Sequence, residues 1–154
     1  MKICILAAGK GTRMGPICKN INKSLLPINN KAIISHIIEK FSKTDSFVIG
    51  LGYKAEQVKS YLKAAHSDKK FEFVKIKNFD GKKSGPAFSL FKCKHYLQKP
   101  FFFVSCDTIW TKKISNYKSF NWMGTFNSKK INPVNYCNLI TKNNKIQKII
   151  DKKK

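Results

Sequence analysis

A glycine-containing loop, Leu6–Gly15, holds the residues best suited to chemistry, in the sequence LAAGKGTRMG. It directly follows an apolar segment that we predict to be a buried strand. Gly9 and Gly11 permit backbone conformations and close approaches that a side chain would prevent. Successive backbone amides, the Thr12 hydroxyl and the Arg13 guanidinium then offer donors to phosphate oxygens. The loop therefore predicts a phosphate-binding site; the alternative is a glycine-rich turn without a ligand.

Two familiar phosphate loops do not match this segment. A dinucleotide-binding loop has the pattern GxGxxG and opens a helix, whereas here Met14 stands at the third glycine position and Gly15-Pro16 interrupts the chain. A P-loop needs GxxxxGK followed by Ser or Thr, and the sequence has no such stretch. The loop is therefore of a different kind.

The loop follows the first strand directly, and ligands of open α/β sheets bind at the carboxyl ends of strands. Lys23, in Asn22–Pro27 (NKSLLP), is spaced from the loop so that it can return to bound phosphates. Asp107 follows a segment that we predict to be an apolar strand. Gly85 lies in a Ser-Gly-Pro turn before a helix. The alternatives are a solvated lysine, a turn aspartate and a helix-start glycine.

Apolar periodicity predicts the elements that must position these residues. The predicted strands are Lys2–Leu6, Ser46–Leu51, Phe71–Ile76 and Pro100–Ser105, and the predicted helices are Lys31–Lys43, Ala55–Ala65 and Ala87–Leu97. Their alternation implies a mostly parallel sheet with helices on both faces. Further along, we predict the short strands Trp122–Phe126, Tyr136–Ile140 and Lys145–Ile150, with a hairpin turn at Asn143-Asn144.

The charged residues of the chain argue against a nucleic-acid-binding protein. The 154 residues include 31 Lys or Arg and 8 Asp or Glu, which gives a net charge of +23, but Arg13 is the only arginine. Nucleic-acid readers use arginine for bidentate contacts, so we interpret the charge as a lysine-coated surface and not as a nucleic-acid interface. The alternative, an RNA- or polyanion-binding domain, rests on the charge alone.

The remaining composition predicts a cytoplasmic protein. No apolar run approaches the ~18–20 residues of a membrane-spanning helix, and we identify no signal peptide. The five cysteines are odd in number and contain no CxxC pair, so we expect reduced, mostly buried thiols. The three histidines lack metal-type spacing, and we expect structural roles for them.

The motifs together resemble those of the sugar-phosphate nucleotidyltransferase family. Leu6–Met14 is similar to the signature loop of that family, and Lys23–Pro27 to its second motif. Ser105-Cys106-Asp107 falls where the family has its magnesium-binding aspartate, and Asp151-Lys152 resembles its acidic-Lys pair. The resemblance implies a Rossmann-like three-layer α/β/α fold of the nucleotide-diphospho-sugar transferase type, with a mostly parallel central sheet, incomplete at the C-terminus.

The resemblance also implies a Mg²⁺-dependent reaction. A nucleotidyl group passes from a nucleoside triphosphate to a sugar phosphate, or to a phosphocholine-like acceptor, which gives a nucleotide-sugar for surface polysaccharide synthesis and pyrophosphate. Arg13 and Lys23 would be catalytic, Asp107 would bind the metal and the nucleotide, and Lys152 would approach the sugar phosphate. The other nucleotide-binding residues would be Leu6, Ala7, Ala8, Gly9, Gly11, Thr12 and Gly85.

The chain is shorter than family members usually are. We expect one domain, residues 1–154, in which residues 1–110 form the nucleotide-binding part and residues 111–154 begin the acceptor-binding part. A second metal-binding aspartate is missing, because only Asp151 follows Asp107. The alternative function is therefore a catalytically inactive nucleotide-binding protein or subunit. A homo-oligomer or a completing second chain is compatible with this interpretation, and a membrane partner is not expected.

Overall fold

Two compact units make up the structure. The computed structural model describes residues 1–82, 84–111, 121, 123–125, 132, 134 and 136–151. The units are Met1–Phe120 and Asn121–Lys154. The expected division at residue 110 into nucleotide-binding and acceptor-binding parts of one domain stays a prediction.

Strands and helices alternate through most of the described chain. The strands are β1 Lys2–Ala7, β2 Pro27–Ile28, β3 Lys31–Ala32, β4 Ser46–Leu51, β5 Lys70–Lys75, β6 Phe101–Ser105, β7 Asn138–Lys142 and β8 Lys145–Ile150. The helices are α1 Ile33–Ile38, α2 Ala55–Ala65 and α3 Pro86–Lys92. Short 3-10 turns cover Thr12–Cys18, Lys23–Leu25 and Lys94–Tyr96. Within the described ranges, every helix is too short or too polar to cross a bilayer.

Four parallel strands form the central sheet, in the order β5-β4-β1-β6. Strand β1 lies inside the sheet, with Ile5 opposite Ile49 on one side and Val104 on the other. Since all four strands run the same way, their carboxyl ends share one edge. The loop after β1, the turn after β4 and the segment after β6 therefore begin at the same edge, which is where the candidate residues lie.

Helices cover both faces of the sheet, as the sequence predicts. On one face, alternate residues of β1 and β4 (Ile3, Ile5, Phe47 and Ile49) pack with apolar residues of α1 and α2. On the other face, Cys4 and Val48 pack with Ile76, Cys93 and residues of α3. The period of two along each strand supplies an apolar side chain to each layer. The predicted three-layer α/β/α fold class is confirmed.

The predicted helix over Lys31–Lys43 is wrong at both ends. Lys31 and Ala32 instead form β3, which pairs with β2 as a small antiparallel hairpin. Asn29 and Asn30 make the turn, with φ angles of 48° and 59°. Two consecutive residues at positive φ are typical of the turn type that suits a two-residue hairpin, and asparagine tolerates this conformation. The helix then covers only Ile33–Ile38.

Other predicted elements agree with the structure to within a few residues. Strand β4 and helix α2 have the predicted bounds. Helix α3 ends at Lys92, earlier than predicted, and a 3-10 turn follows. The predicted strand Trp122–Phe126 begins and ends outside the described residues. In the second unit, β7 and β8 form an antiparallel hairpin, and its turn residues Asn143 and Asn144 have φ angles of 50° and 56°.

Most of the cysteines are buried, and His36 and His66 contact neighbouring segments. Four thiols are buried and unbridged, and Cys137 is exposed and free. His66 is buried and its Nε2 lies 2.8 Å from the Ser35 hydroxyl. His36 Nε2 lies 2.8 Å from the carbonyl oxygen of Ile28, which links α1 to β2. Among the described residues no group of three or more His, Cys, Asp or Glu could hold a metal ion.

Two glycines allow the loops at the shared edge to approach the sheet closely. A Cβ atom added at Gly50 would lie 2.8 Å from Leu6 Cδ2, and one added at Gly52 would lie 2.6 Å from the carbonyl oxygen of Ala8. The same atom at Gly52 would lie 2.7 Å from the Phe79 ring. The turn after β4 therefore contacts the loop after β1 directly, with no room for a methyl group.

We predict that Gly52→Ala destabilises the protein by about 1–3 kcal/mol, because the backbone oxygen of Ala8 must move to admit the methyl group. Urea denaturation measures the free energy of unfolding. Gly9→Ala is the matched control, since a Cβ at Gly9 meets no described atom within 4 Å. We expect it to change stability by less than about 0.5 kcal/mol. Equal stability of the two variants would contradict the assigned contact.

Candidate functional site

A buried asparagine joins three segments at the carboxyl edge of the sheet. The Asn22 side chain is fully buried. Its Nδ2 donates to the carbonyl oxygen of Ala7 (3.0 Å), at the end of β1, and to that of Tyr53 (2.6 Å), after β4. Its Oδ1 accepts from the Ser24 amide (3.0 Å) and hydroxyl (2.8 Å). This one side chain therefore fixes the segment that carries Lys23 against both loops.

Helix α2 and the turn before it hold the same segment from outside. Gln57 Oε1 accepts from the Asn22 amide (3.3 Å), and Gln57 Nε2 donates to the carbonyl oxygen of Asn20 (2.9 Å). The Tyr53 hydroxyl donates to the carbonyl oxygen of Lys19 (2.5 Å), and the Tyr53 amide donates to that of Ala8 (2.8 Å). The backbone around Lys23 is thus held by partners on several sides.

The ammonium group of Lys23 and the carboxylate of Asp107 form an ion pair. Lys23 Nζ donates to Asp107 Oδ2 at 2.8 Å, and the Ser105 hydroxyl donates to Asp107 Oδ1 at 2.6 Å. The side chain of Lys23 is 22% exposed and that of Asp107 is 46% exposed. Two residues 84 positions apart in the sequence, each selected from its motif alone, therefore meet at the edge of the sheet.

Electrostatics of this pair favour both charged forms. Burial alone would raise the pKa of Asp107, but the hydrogen bonds from Lys23 and Ser105 outweigh it and hold this pKa below its usual value. Burial is the largest single influence on the pKa of Lys23 and lowers it. The hydrogen bond to Asp107 and the electrostatic attraction of neighbouring groups, Asp107 among them, together outweigh burial, so the net shift is upward. Burial raises the pKa of the neighbouring Cys106 thiol to about 11, so that thiol stays neutral.

Arg13 lies within electrostatic range of Lys23. Its positive charge acts to lower the pKa of Lys23. The Arg13 side chain is exposed, so it is accessible to a ligand. The site therefore consists of the Lys23–Asp107 ion pair, with the charge of Arg13 acting on the lysine.

Gly11 brings the signature loop into contact with Lys23. Its φ angle is +70°, a conformation that favours glycine, and an added Cβ would lie 3.2 Å from Lys23 Cβ and 3.1 Å from Cys18 Sγ. Beyond Gly11 the chain forms a 3-10 turn that is kinked at Gly15. An open pocket of ≈ 260 Å³ lies beside this turn, lined by Lys10, Thr12, Gly15, Cys18, Lys19 and Tyr53.

The other predicted site residues occupy different positions. Leu6, Ala7 and Ala8 continue β1 into the loop, where the carbonyl oxygens of Ala7 and Ala8 already accept hydrogen bonds. Gly85 precedes α3 with a φ of +155°, and a Cβ there would meet no described atom within 4 Å. No hydrogen bond joins Gly85 to Lys23 or Asp107 in the described part of the chain. Lys152 lies outside the described residues.

Sequence reasoning missed several residues that build this site. Asn22 contacts Ser24 and so fixes the segment that carries Lys23, and Ser105 contacts Asp107. Their spacing gave a local signal, because each is a small polar residue two positions before the residue that it contacts. An ion pair between Lys10 and Asp80, both exposed, ties the signature loop to the segment before Gly85. Such a pair carries no sequence signal in a chain with this many lysines.

Comparison with known proteins identifies relatives of this chain. A family model described as a MobA-like NTP transferase domain matches residues 3–117. The bifunctional protein GlmU of Methanococcus vannielii is 30% identical over 138 residues, which are 88% of this chain and 31% of that protein. The chain thus spans about three tenths of the length of the curated GlmU relatives that it matches.

Solved structures share the fold. A putative glucose-1-phosphate thymidylyltransferase from Bacillus anthracis superposes with a TM-score of 0.72 at 24% identity, over 99% of this chain and 65% of that one. CTP:phosphocholine cytidylyltransferase from Streptococcus pneumoniae superposes with a TM-score of 0.66 at 22% identity, over 98% and 64%. The two solved structures therefore have the same fold as this chain.

We predict that Asn22→Ala destabilises the protein by about 2–4 kcal/mol, since each buried group left without a partner costs about 1–3 kcal/mol. Chemical denaturation measures the change. Asn20→Ala is the control: Asn20 is exposed, and we expect its replacement to change stability by less than about 0.5 kcal/mol. A loss of less than about 1 kcal/mol for Asn22→Ala would show that the three segments do not depend on this amide.

Proposed function

The chain belongs to the family of MobA-like NTP transferase domains, and on that premise we propose that it transfers a nucleotidyl group from a nucleoside triphosphate to a sugar phosphate. The products are a nucleotide-sugar and pyrophosphate. Family membership confirms the resemblance predicted from the motifs. A glucose-1-phosphate thymidylyltransferase among the structural neighbours supports a sugar phosphate as the acceptor, and the phosphocholine enzyme keeps a non-sugar phosphate as a second candidate.

The observation that carries the proposal is the ion pair between Lys23 and Asp107 beside Gly11, with the charge of Arg13 within electrostatic range of Lys23. Transfer at a phosphorus atom asks little covalent chemistry of a protein; it requires positioning and stabilisation of negative charge. Two cations beside a loop that a polyphosphate can approach meet this requirement. The exposed guanidinium and the half-exposed carboxylate leave the group open to a ligand.

In the proposed reaction, a phosphate oxygen of the acceptor forms a bond to the α-phosphorus of the triphosphate. The bond from that phosphorus to the bridging oxygen breaks, and pyrophosphate leaves with the electron pair. Lys23 would hold the α-phosphate oxygens as their negative charge increases, and Arg13 would stabilise the leaving pyrophosphate. Gly9, Gly11 and Thr12 would bind the phosphates, and Gly85 would leave space for the base against the backbone.

We propose that the reaction needs Mg²⁺, and the residues at the site supply one ligand for it. Asp107 is a single carboxylate, and the described residues contain no cluster that would hold a metal by itself. Mg²⁺ is, however, commonly held by one or two carboxylates together with substrate phosphates. Asp107 therefore fits as one protein ligand of a metal ion that the phosphates also coordinate. When bound, this ion would neutralise phosphate charge in the transition state.

The remaining expectations depend on this activity. We propose a cytoplasmic protein that supplies nucleotide-sugars for surface polysaccharides, with Lys152 near the sugar phosphate. A catalytically inactive nucleotide binder is the second candidate, favoured by the single carboxylate at the site. A partner chain or a second copy that contributes acceptor-binding residues fits either function.

We expect a nucleoside triphosphate with Mg²⁺ to raise the melting temperature, because a ligand that binds only the native state stabilises it by about 2.7 kcal/mol at 100 times its Kd. The measurement is a melting curve with each common triphosphate at millimolar concentration. Pyrophosphate release with candidate acceptors then separates the two functions: binding with release supports transfer, and binding without release supports the inactive binder. No shift with any triphosphate would contradict both.

Arg13→Ala and Lys23→Met are expected to abolish pyrophosphate release, because each removes a cation from the developing negative charge. Methionine keeps the unbranched stem that packs on Gly11. Lys63→Ala, in the last turn of α2, is the control and should release pyrophosphate at the parental rate. Unchanged release by Arg13→Ala or Lys23→Met would remove the role assigned to that residue.

A further inference from the structure

Both oxygens of the Asp107 carboxylate accept a hydrogen bond within the protein. One accepts from Lys23 Nζ (2.8 Å) and the other from the Ser105 hydroxyl (2.6 Å). The carboxylate is 46% exposed, so a cation that approaches it from solvent meets both donors beside the oxygens. Of the two, the ammonium group is the stronger obstacle, because it repels a divalent cation directly.

Lys23 is not free to leave this position without a new partner. Its side chain is 22% exposed, and its stem packs against Gly11. Desolvation makes an unpaired ammonium group unfavourable, so Lys23 needs an anion close to it. Arg13 adds a second positive charge within electrostatic range of Lys23. Lys23 and Arg13 together carry one more charge than Asp107 neutralises, and this excess positive charge disfavours a bare metal ion.

A nucleoside triphosphate changes this balance. Its phosphates carry several negative charges and replace Asp107 as the partner of Lys23. Released from the ammonium group, the carboxylate can contact a metal ion that the same phosphates already coordinate. The exchange needs no movement of the backbone, since only the Lys23 ammonium changes partner.

We propose that Lys23 excludes a free divalent cation from Asp107 and releases the carboxylate only when nucleotide phosphates take its place. The inference rests on the proposed function, because it assigns the phosphates to a nucleotide. Lys23 then has two roles: it contacts the nucleotide, and it makes binding of metal and nucleotide mutually dependent. Such coupling is reciprocal, and typical values are about 5–150-fold in affinity.

The first test uses Mn²⁺ without nucleotide, followed by equilibrium dialysis and electron paramagnetic resonance. We expect Lys23→Met to bind Mn²⁺ at least ~5-fold more tightly than the parent protein, in line with the coupling range above. The double variant Lys23→Met with Asp107→Asn should lose this binding, which assigns it to Asp107. Circular dichroism checks folding, and Lys23→Gln serves if the methionine variant does not fold.

Lys31→Met is the matched control for the metal experiment. Lys31 forms an ion pair of similar length with Glu39, 2.7 Å, in which both side chains are half-exposed. Its replacement also frees a carboxylate from a lysine, but at a place with no assigned ligand. We expect no gain in Mn²⁺ affinity. If Lys31→Met gained as much Mn²⁺ affinity as Lys23→Met, removal of any lysine charge would explain the result, and the inference would be overturned.

The second test adds nucleotide. In the parent protein, Mg²⁺ and a triphosphate together should raise the melting temperature by more than the sum of their separate shifts, and Asp107→Asn should remove the excess. Equal Mn²⁺ affinity of the parent and Lys23→Met overturns the inference even if nucleotide binds. If no triphosphate binds, the proposed function fails instead, while the nucleotide-free comparison still reports on the Lys23–Asp107 pair.

Discussion

The site depends on the buried amide of Asn22. Three chain segments at the carboxyl edge of the sheet meet around this side chain, which is itself buried. Buried backbone polar groups need partners, and a primary amide offers two donors and an acceptor in one plane. Asparagine at this position therefore satisfies carbonyl groups of two loops and the amide of a third. The position of Lys23 is a consequence of that arrangement.

The charged groups of the site are paired in a way that allows Lys23 to exchange Asp107 for a phosphate. In the ligand-free protein the lysine and the aspartate neutralise each other, with a hydroxyl holding the second oxygen of the aspartate. This keeps both groups ionised although they are partly desolvated. The arginine remains exposed and supplies the excess positive charge that attracts an anion. Lys23 and Asp107, which the proposed reaction uses, are therefore paired with each other in the structure, and a polyphosphate can replace the aspartate as the partner of the lysine.

Most of the sheet and its helices follow from local patterns, because burial repeats with period two in strands and at helical spacing in helices. The helix Ala55–Ala65 and the strand Ser46–Leu51 were predictable to the residue. The helix at Lys31 was not, since the Asn29-Asn30 turn imposes a hairpin that an apolar pattern does not reveal. At the site, Lys23 and Asp107 were predictable from motifs. The contacts of Asn22 with Ala7 and Tyr53 were not, because both partners are backbone carbonyl groups distant in sequence.

The ion pair between Lys10 and Asp80 makes one contact of the signature loop sensitive to salt. It joins Lys10 of that loop to the segment that leads to Gly85, and both side chains are exposed. Attraction between such charges weakens as ionic strength rises, because the Debye length is only ~10 Å at 0.1 M. The link between these two segments should therefore loosen as the salt concentration around the protein increases.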